Sequence, residues 1–226
     1  MTSCIDGEED IWVNKDGSGH ATFKLTAPTL LFAKFGGVEK VVTETQEILV
    51  NRDELTLQEI TTHNSGSKTT LQARVNFQDV REVLTCLQAF RDQENPLKKS
   101  DEEIFLGSPK LEIQKLEIQF SRNLDIRSLI PPEAHNPLTK KLLNDSQITY
   151  RLHLPTKVKT HNAHSISKNR KTLQWNLPVT ELLSGPVEMK FTANIPNLTH
   201  YLTLAGGALL LVLTGGIFLR KHRQST

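Results

Sequence analysis

Along most of the chain apolar residues recur at every second position, the period of a strand with one buried face. Ala21, Phe23 and Leu25 alternate with Thr22, Lys24 and Thr26, residues 9–14 precede them, and Lys15 to Gly19 supply a glycine turn. This pattern predicts a β-hairpin over 9–26. A second hairpin is predicted from residues 54–61 and 69–77 around Asn64, Ser65, Gly66 and Ser67, with Leu71, Ala73, Val75 and Phe77 on one side and Gln72, Arg74 and Asn76 on the other. Further strands follow at 110–120, 122–127, 147–154, 171–177 and 186–193. In the first of these the apolar frame shifts between Ile113 and Leu116, which suggests a bulge. Most of the strands are expected to pair antiparallel.

Helical spacing is rarer. Residues 28–35 run past Gly36 and Gly37 into 38–50, with Leu31, Phe35, Val38 and Val42 on one face, so a helix broken or kinked at the glycines is expected. A second helix is predicted at 79–91, where Val80, Val83, Leu84, Leu87 and Phe90 form the stripe and Cys86 sits at its edge as a small filler. A short third runs from Asn136 to Leu143 and opens with Pro137 in its first turn. Segment 92–109 is polar and turn-rich and reads as a long loop. The expected fold is α+β: a curved, mostly antiparallel sheet of hairpins with two or three helices packed on it.

The pattern changes at the C-terminus. From Tyr201 to Leu219 no residue is charged, and as a helix this run would extend roughly 28 Å, enough to span a bilayer. Arg220, Lys221, His222 and Arg223 follow it, and the positive-inside rule keeps such a cluster in the cytoplasm. The expected organisation is an N-terminal segment 1–8, an extracytoplasmic α+β domain 9–198, a transmembrane helix 201–219 and a basic tail 220–226. The cell membrane, crossed once, is the expected location.

Charge supports this division. The 226 residues carry 27 Lys+Arg and 25 Asp+Glu; three of the cations and no anion lie after residue 219, leaving 24 against 25 before it. The outer domain is therefore close to neutral and has no electrostatic footprint for nucleic acid. Its aromatic content of 6%, with two Trp, does not suggest a surface for stacking bases or sugars. Two cysteines, Cys4 and Cys86, make neither a disulfide framework nor a thiolate metal site.

No pattern carries catalysis. His161 and His164 stand three apart in a segment that reads as a polar loop, with no acid at ligand spacing. Ser18 lies near His20, but in a turn between two strands rather than the strand-to-helix turn of a nucleophile elbow. Glu8, Glu9 and Asp10, like Asp101, Glu102 and Glu103, are carboxylate runs without the spaced ligands of a calcium loop, so solvated charge is the expectation. Gly36 and Gly37 lack the remainder of a phosphate-cradling motif. No enzyme activity, cofactor or metal is expected.

Two stretches carry a resemblance. At the start, Cys4 follows small residues as in a lipobox, an acidic stretch comes next, and Val13 to Gly19 form a strand and turn. Later, Ile148 to Pro155 leads through Val158 and Asn162 to Lys171 through Pro178, as paired strands ahead of a membrane segment. In both, and in the order of elements over most of 4–219, the chain resembles the LppM-type bacterial lipoprotein domain, a membrane-anchored group. The resemblance implies an extracytoplasmic α+β domain held at the membrane that binds lipid-like ligands without catalysis. The chain departs from the group in the long 92–109 segment and in opening without an apolar signal region, from which a start further upstream is expected. Cys4 is either the lipid-bearing cysteine or an exposed thiol at a frayed terminus.

An apolar helix laid across a sheet can leave a cleft. Its walls here would be Leu31, Phe32 and Phe35 on one side and Phe23, Leu25, Val75 and Phe77 on the other, although the same residues would also line an ordinary core. The expected function is binding of a lipid or other apolar ligand at the membrane surface, with a protein-interaction module of an envelope assembly as the alternative.

Overall fold

The acidic run that opens the domain is part of a strand. In the computed structural model, which describes residues 5–34, 36–50, 55–80, 110–114, 117–125, 127 and 143–195, strand β1 covers Asp6–Val13. It pairs antiparallel with β2 (Gly19–Pro28), Ile11 opposite Ala21 and Trp12 opposite His20. Asp16 fixes the turn between them by accepting from the Ser18 backbone N–H at 3.1 Å and the Ser18 hydroxyl at 2.7 Å. Two short helices follow, α1 (Thr29–Lys34) and α2 (Val38–Val50). The break between them is chemical: Gly36 and Gly37 have φ of 86° and 98°, a region that residues with a Cβ rarely adopt. The Gly37 N–H turns back to the Phe32 carbonyl at 2.9 Å.

The second hairpin is β3 (Leu55–Ser65) and β4 (Lys68–Phe77), with a register shift between Leu57 and Glu59. Next come β5 (Lys110–Gln114), β6 (Glu117–Leu124), β7 (Gln147–His153), β8 (Val158–His161), β9 (Ser165–Ile166), β10 (Thr172–Pro178), the single turn α3 (Val179–Leu182) and β11 (Val187–Asn194). Among the described residues these strands form two sheets, a seven-stranded one in the order β3-β4-β2-β1-β7-β10-β9 and a four-stranded one in the order β5-β6-β11-β8. Within them β1 runs parallel to β7, Ile11 opposite Leu152, and the other pairings are antiparallel.

Two expectations are corrected by this arrangement. The frame shift after Ile113 falls between two separate strands, β5 and β6, which pair antiparallel with Leu111 opposite Phe120. Of the segment 160–169, expected as a polar loop, residues 160–161 close strand β8 and residues 165–166 form β9, both at sheet edges. A second sheet results, and the core lies where the two sheets meet instead of between a sheet and helices. Phe120, Met189 and Phe191 of the smaller sheet share one buried cluster with Ile11, Leu152 and Leu173 of the larger. Helix α1 touches β2 and α2 touches β3, yet no α2 residue whose side chain is described is buried. The period-2 reading of the strands holds because inward positions are apolar on both sheets.

Gly19 closes the first hairpin at a point of close approach. A Cβ there would run into the backbone carbonyl oxygen of Trp12 and lie 2.6 Å from Cζ of the buried Phe77. Backbone cannot yield as a flexible side-chain tip can. Gly19→Ala is expected to destabilise by about 1–3 kcal/mol, the range for forcing atoms into a packed site, read as a lower urea midpoint at unchanged slope.

Several sequence expectations lie outside the described residues: Cys4, Phe35, most of the 79–91 helix, the 92–109 loop, residues 136–142 and the run 201–219. Among the described residues no helix is long and apolar enough to cross a membrane.

Candidate functional site

The β2–β4 register places Phe23, Leu25, Val75 and Phe77 on one face of the larger sheet, since Gly19 lies opposite Phe77, Ala21 opposite Val75, Phe23 opposite Ala73 and Leu25 opposite Leu71. Val75 and Phe77, 2% and 3% exposed, are members of the main core, and Phe23 is half-buried against it. Burial fails further along the same strand: Ala21 and Ala27 are fully buried, but Leu25 between them is 37% exposed. Helix α1 begins immediately after β2. Its Phe32 is buried outside the main core cluster, Leu31 is half-buried, and Leu30 is 81% exposed. Leu25 and Leu30 are the large apolar side chains left in water among the described residues. The structure thus puts Val75 and Phe77 in packed core and Phe23 against it, leaves Leu25 half-exposed further along the same strand, and sets Leu31 and Phe32 on the helix that follows.

The same inner face holds a polar cluster that sequence patterning missed. Across the rungs Phe23, Glu9, Tyr150 and Trp175 stand in one row, so Glu9 points into the protein, contrary to the expectation of solvated charge. Arg122 of β6, 1% exposed, meets it there: one guanidinium nitrogen lies 3.3 Å from both carboxylate oxygens. The guanidinium also sits 5.4 Å from the centre of the Tyr150 ring, and Tyr150 meets Trp175 edge-on at 5.7 Å. Burial pushes the Glu9 carboxyl above the usual carboxylate range despite the opposing Arg122 charge. It likewise raises the Tyr150 hydroxyl, with the Glu9 charge adding to the shift. Such a buried pair fixes how the sheets meet; it offers no entry for a substrate.

On the opposite face of the larger sheet the charges are wetter. Glu8 bonds Lys24 at 3.0 Å and lies 3.5 Å from Arg151. Lys24 first, and Arg151 with it, holds the Glu8 carboxyl below its ordinary value. Asp10 accepts from Arg151 at 2.8 Å. Trp12 is sandwiched between His20 and His153, with ring centres 4.6 and 4.4 Å away, so both of its faces are occupied.

The outward side of the smaller sheet carries a depression of about 340 Å³ lined in part by Lys110, Glu112, Ser121, Thr160 and Lys190. Its charges are mixed, and Lys190 is paired with Glu188 at 2.7 Å, so it has no marked preference for an ion of either sign. The two histidines of the 161–164 segment do not converge. His164 Nδ1 accepts from the Asn176 backbone N–H at 2.9 Å, while His161 ends β8. No group of three potential metal ligands exists among the described residues. Asn162 between them is structural: its oxygen accepts from the Trp175 indole at 3.0 Å and the Lys190 N–H at 2.8 Å, and its amide donates to the Glu188 carbonyl at 2.7 Å.

No protein-family model matches the chain, and no curated protein matches it in sequence. Among solved structures, the folded domain of Mycobacterium tuberculosis LppM, determined by NMR, is similar to it with a TM-score of 0.51 and 10% identity, over 87% of this chain and 93% of that one. At that identity the likeness is one of fold. The strand pairs at 148–154 and 171–178, which carried the sequence resemblance, are β7 and β10, hydrogen-bonded neighbours in the larger sheet, and the fold of this chain is that of an LppM-like domain.

Proposed function

We propose that the protein is a non-enzymatic, membrane-held envelope protein whose outward domain binds a lipid or other apolar ligand beside α1. The observation that carries this reading is the interrupted burial of β2: an inner-face leucine, Leu25, stays 37% exposed between two fully buried alanines, next to a helix that presents Leu30. Apolar side chains left in water cost free energy, and covering them with a ligand tail recovers it. Phe23, Leu31 and Phe32 supply the floor. The apolar run 201–219 and its basic tail would hold the domain at the surface from which such a ligand comes, and Cys4 would add a second anchor if lipidated.

The test is native mass spectrometry of the full chain with added oleate. Wild type should carry one oleate adduct. Leu25→Gln, at a position already open to water and so tolerant of a polar side chain, should weaken binding about tenfold, the effect of losing roughly 1.4 kcal/mol of apolar contact. Empty protein at every oleate concentration would reject the lipid reading, and reproducible co-purification of one protein partner, lost in Leu30→Glu, would establish the interaction module instead.

A further inference from the structure

Strands β1, β2 and β7 bring three aromatic rings into one row on the outward face of the larger sheet, because Trp12 lies opposite His20 on one side and His153 on the other. The His153 ring is nearly parallel to the indole, at 3°, with centres 4.4 Å apart. Its Nδ1 is 3.1 Å from the Thr172 hydroxyl on β10. Its Nε2 is 3.5 Å from Asp10 Oδ1, and both of these atoms are buried without a hydrogen-bond partner. The other Asp10 oxygen is already taken by Arg151.

We propose that Asp10 and His153 form a proton-operated latch between the parallel strands β1 and β7, with the Trp12 indole as its built-in reporter. A neutral imidazole has one proton for two nitrogens. With that proton on Nδ1, Nε2 presents a lone pair to a carboxylate oxygen; with it on Nε2, the ring donates towards Asp10 and accepts from Thr172 but carries no charge of its own. Only the imidazolium donates from both nitrogens, to Thr172 on one side and to Asp10 on the other, and charge-assisted hydrogen bonds are shorter and stronger than neutral ones. The same proton turns the stack on Trp12 into a cation–π contact.

The surroundings make the latch one-sided. Facing this row are Asp10 and Glu8 from β1, His20 and Lys24 from β2, Arg74 from β4, and Arg151 from β7 itself. Glu8 is shared by Lys24 and Arg151, so Asp10 is the carboxylate placed to receive a new proton donor. His20, on the far face of Trp12, is held below the ordinary imidazole value by burial first and then by the Arg74 and His153 charges. A proton arriving on His153 therefore discourages one on His20, and Trp12 is bracketed by a single cation. Acidification would tighten the β1–β7 rungs and pin Trp12, whereas at neutral pH the Asp10–His153 contact lacks the imidazolium charge.

Intrinsic fluorescence of the full chain from about pH 8 to pH 5, the range in which histidines exchange protons, tests the latch. Emission should be quenched on acidification in wild type and in His20→Gln, and the pH-dependent part should be lost in His153→Gln and reduced in Asp10→Asn. Quenching that survives in His153→Gln, or disappears in His20→Gln, would overturn the proposal. Long-range ¹H–¹⁵N spectra of the unsubstituted protein decide the matter without any variant: a His153 ring protonated on both nitrogens at pH 5, with its Nε2 proton shifted by a strong hydrogen bond, is the expected result, and a single neutral tautomer persisting there would refute the latch.

Discussion

Arg122→Met is expected to lower the stability of the domain by about 3–5 kcal/mol, the loss that follows when one partner of a buried ion pair is removed. Arg122 is 1% exposed and spans from the smaller sheet to Glu9 at 3.3 Å, over the ring of Tyr150. Methionine keeps much of the side-chain length and apolar contact but removes the charge, so a buried carboxylate is left without this counter-ion. Glu9 would then take up a proton, which limits the loss. The double variant Glu9→Gln with Arg122→Met should recover a large part of it, because replacing both members of such a pair by neutral groups is often close to neutral overall. Urea midpoints for the four members of this cycle measure the coupling directly; equal losses in the single and double variants would mean that the pair contributes nothing beyond packing.

The pair has a pH signature of definite sign. Burial holds the folded-state Glu9 carboxyl above its ordinary value, so the folded chain binds that proton before the unfolded chain does. From this group, stability rises as pH falls through the raised value. Glu8 behaves oppositely, since Lys24 depresses it and its contribution is lost on acidification. The stability of wild type relative to Glu9→Gln should accordingly rise as the pH is lowered, whatever the neighbouring Glu8 does in both proteins.

Much of the strand framework was legible because one face of each strand is apolar. The hairpins β1–β2 and β3–β4, and the strands β7, β10 and β11, fall within a few residues of the periods read from the sequence, and the glycine pair 36–37 separates the helices as its backbone freedom requires. What the alternation could not show is which elements close the other side of the core. Residues 158–161 contain one fully inward apolar residue, Val158, among Lys, Thr and His, and an edge strand of that composition has no period to read. Glu9 was hidden for a related reason. In a run of three carboxylates, alternation alone places the middle one on the face of Ile11, but only the position of Arg122, far along the chain in β6, makes an inward charge tolerable. The shared strand face of Phe23 and Leu25 was legible in the alternation of β2, whereas the packing of Val75 and Phe77 into the core depended on the unrecognised second sheet.

Asn162 ties that second sheet to the first, and Trp175 is the larger part of the joint. Trp175→Ala is expected to cost about 3–5 kcal/mol, the range for truncating a buried aromatic, because its ring is 1% exposed and packs edge-on against Tyr150. Asn162→Ala removes far fewer atoms but takes away the acceptor of the buried indole N–H and of the Lys190 N–H, together with the donor to the Glu188 carbonyl. Leaving buried polar groups unsatisfied costs about 1–3 kcal/mol. Trp175→Phe keeps most of the ring and abolishes the indole bond, so it should fall near Asn162→Ala, and the pair Trp175→Phe with Asn162→Ala should lose less than the sum of the two because both remove the same bond. Strict additivity in that cycle would show that Asn162 acts through β11 alone and that the contact across the two sheets is apolar packing.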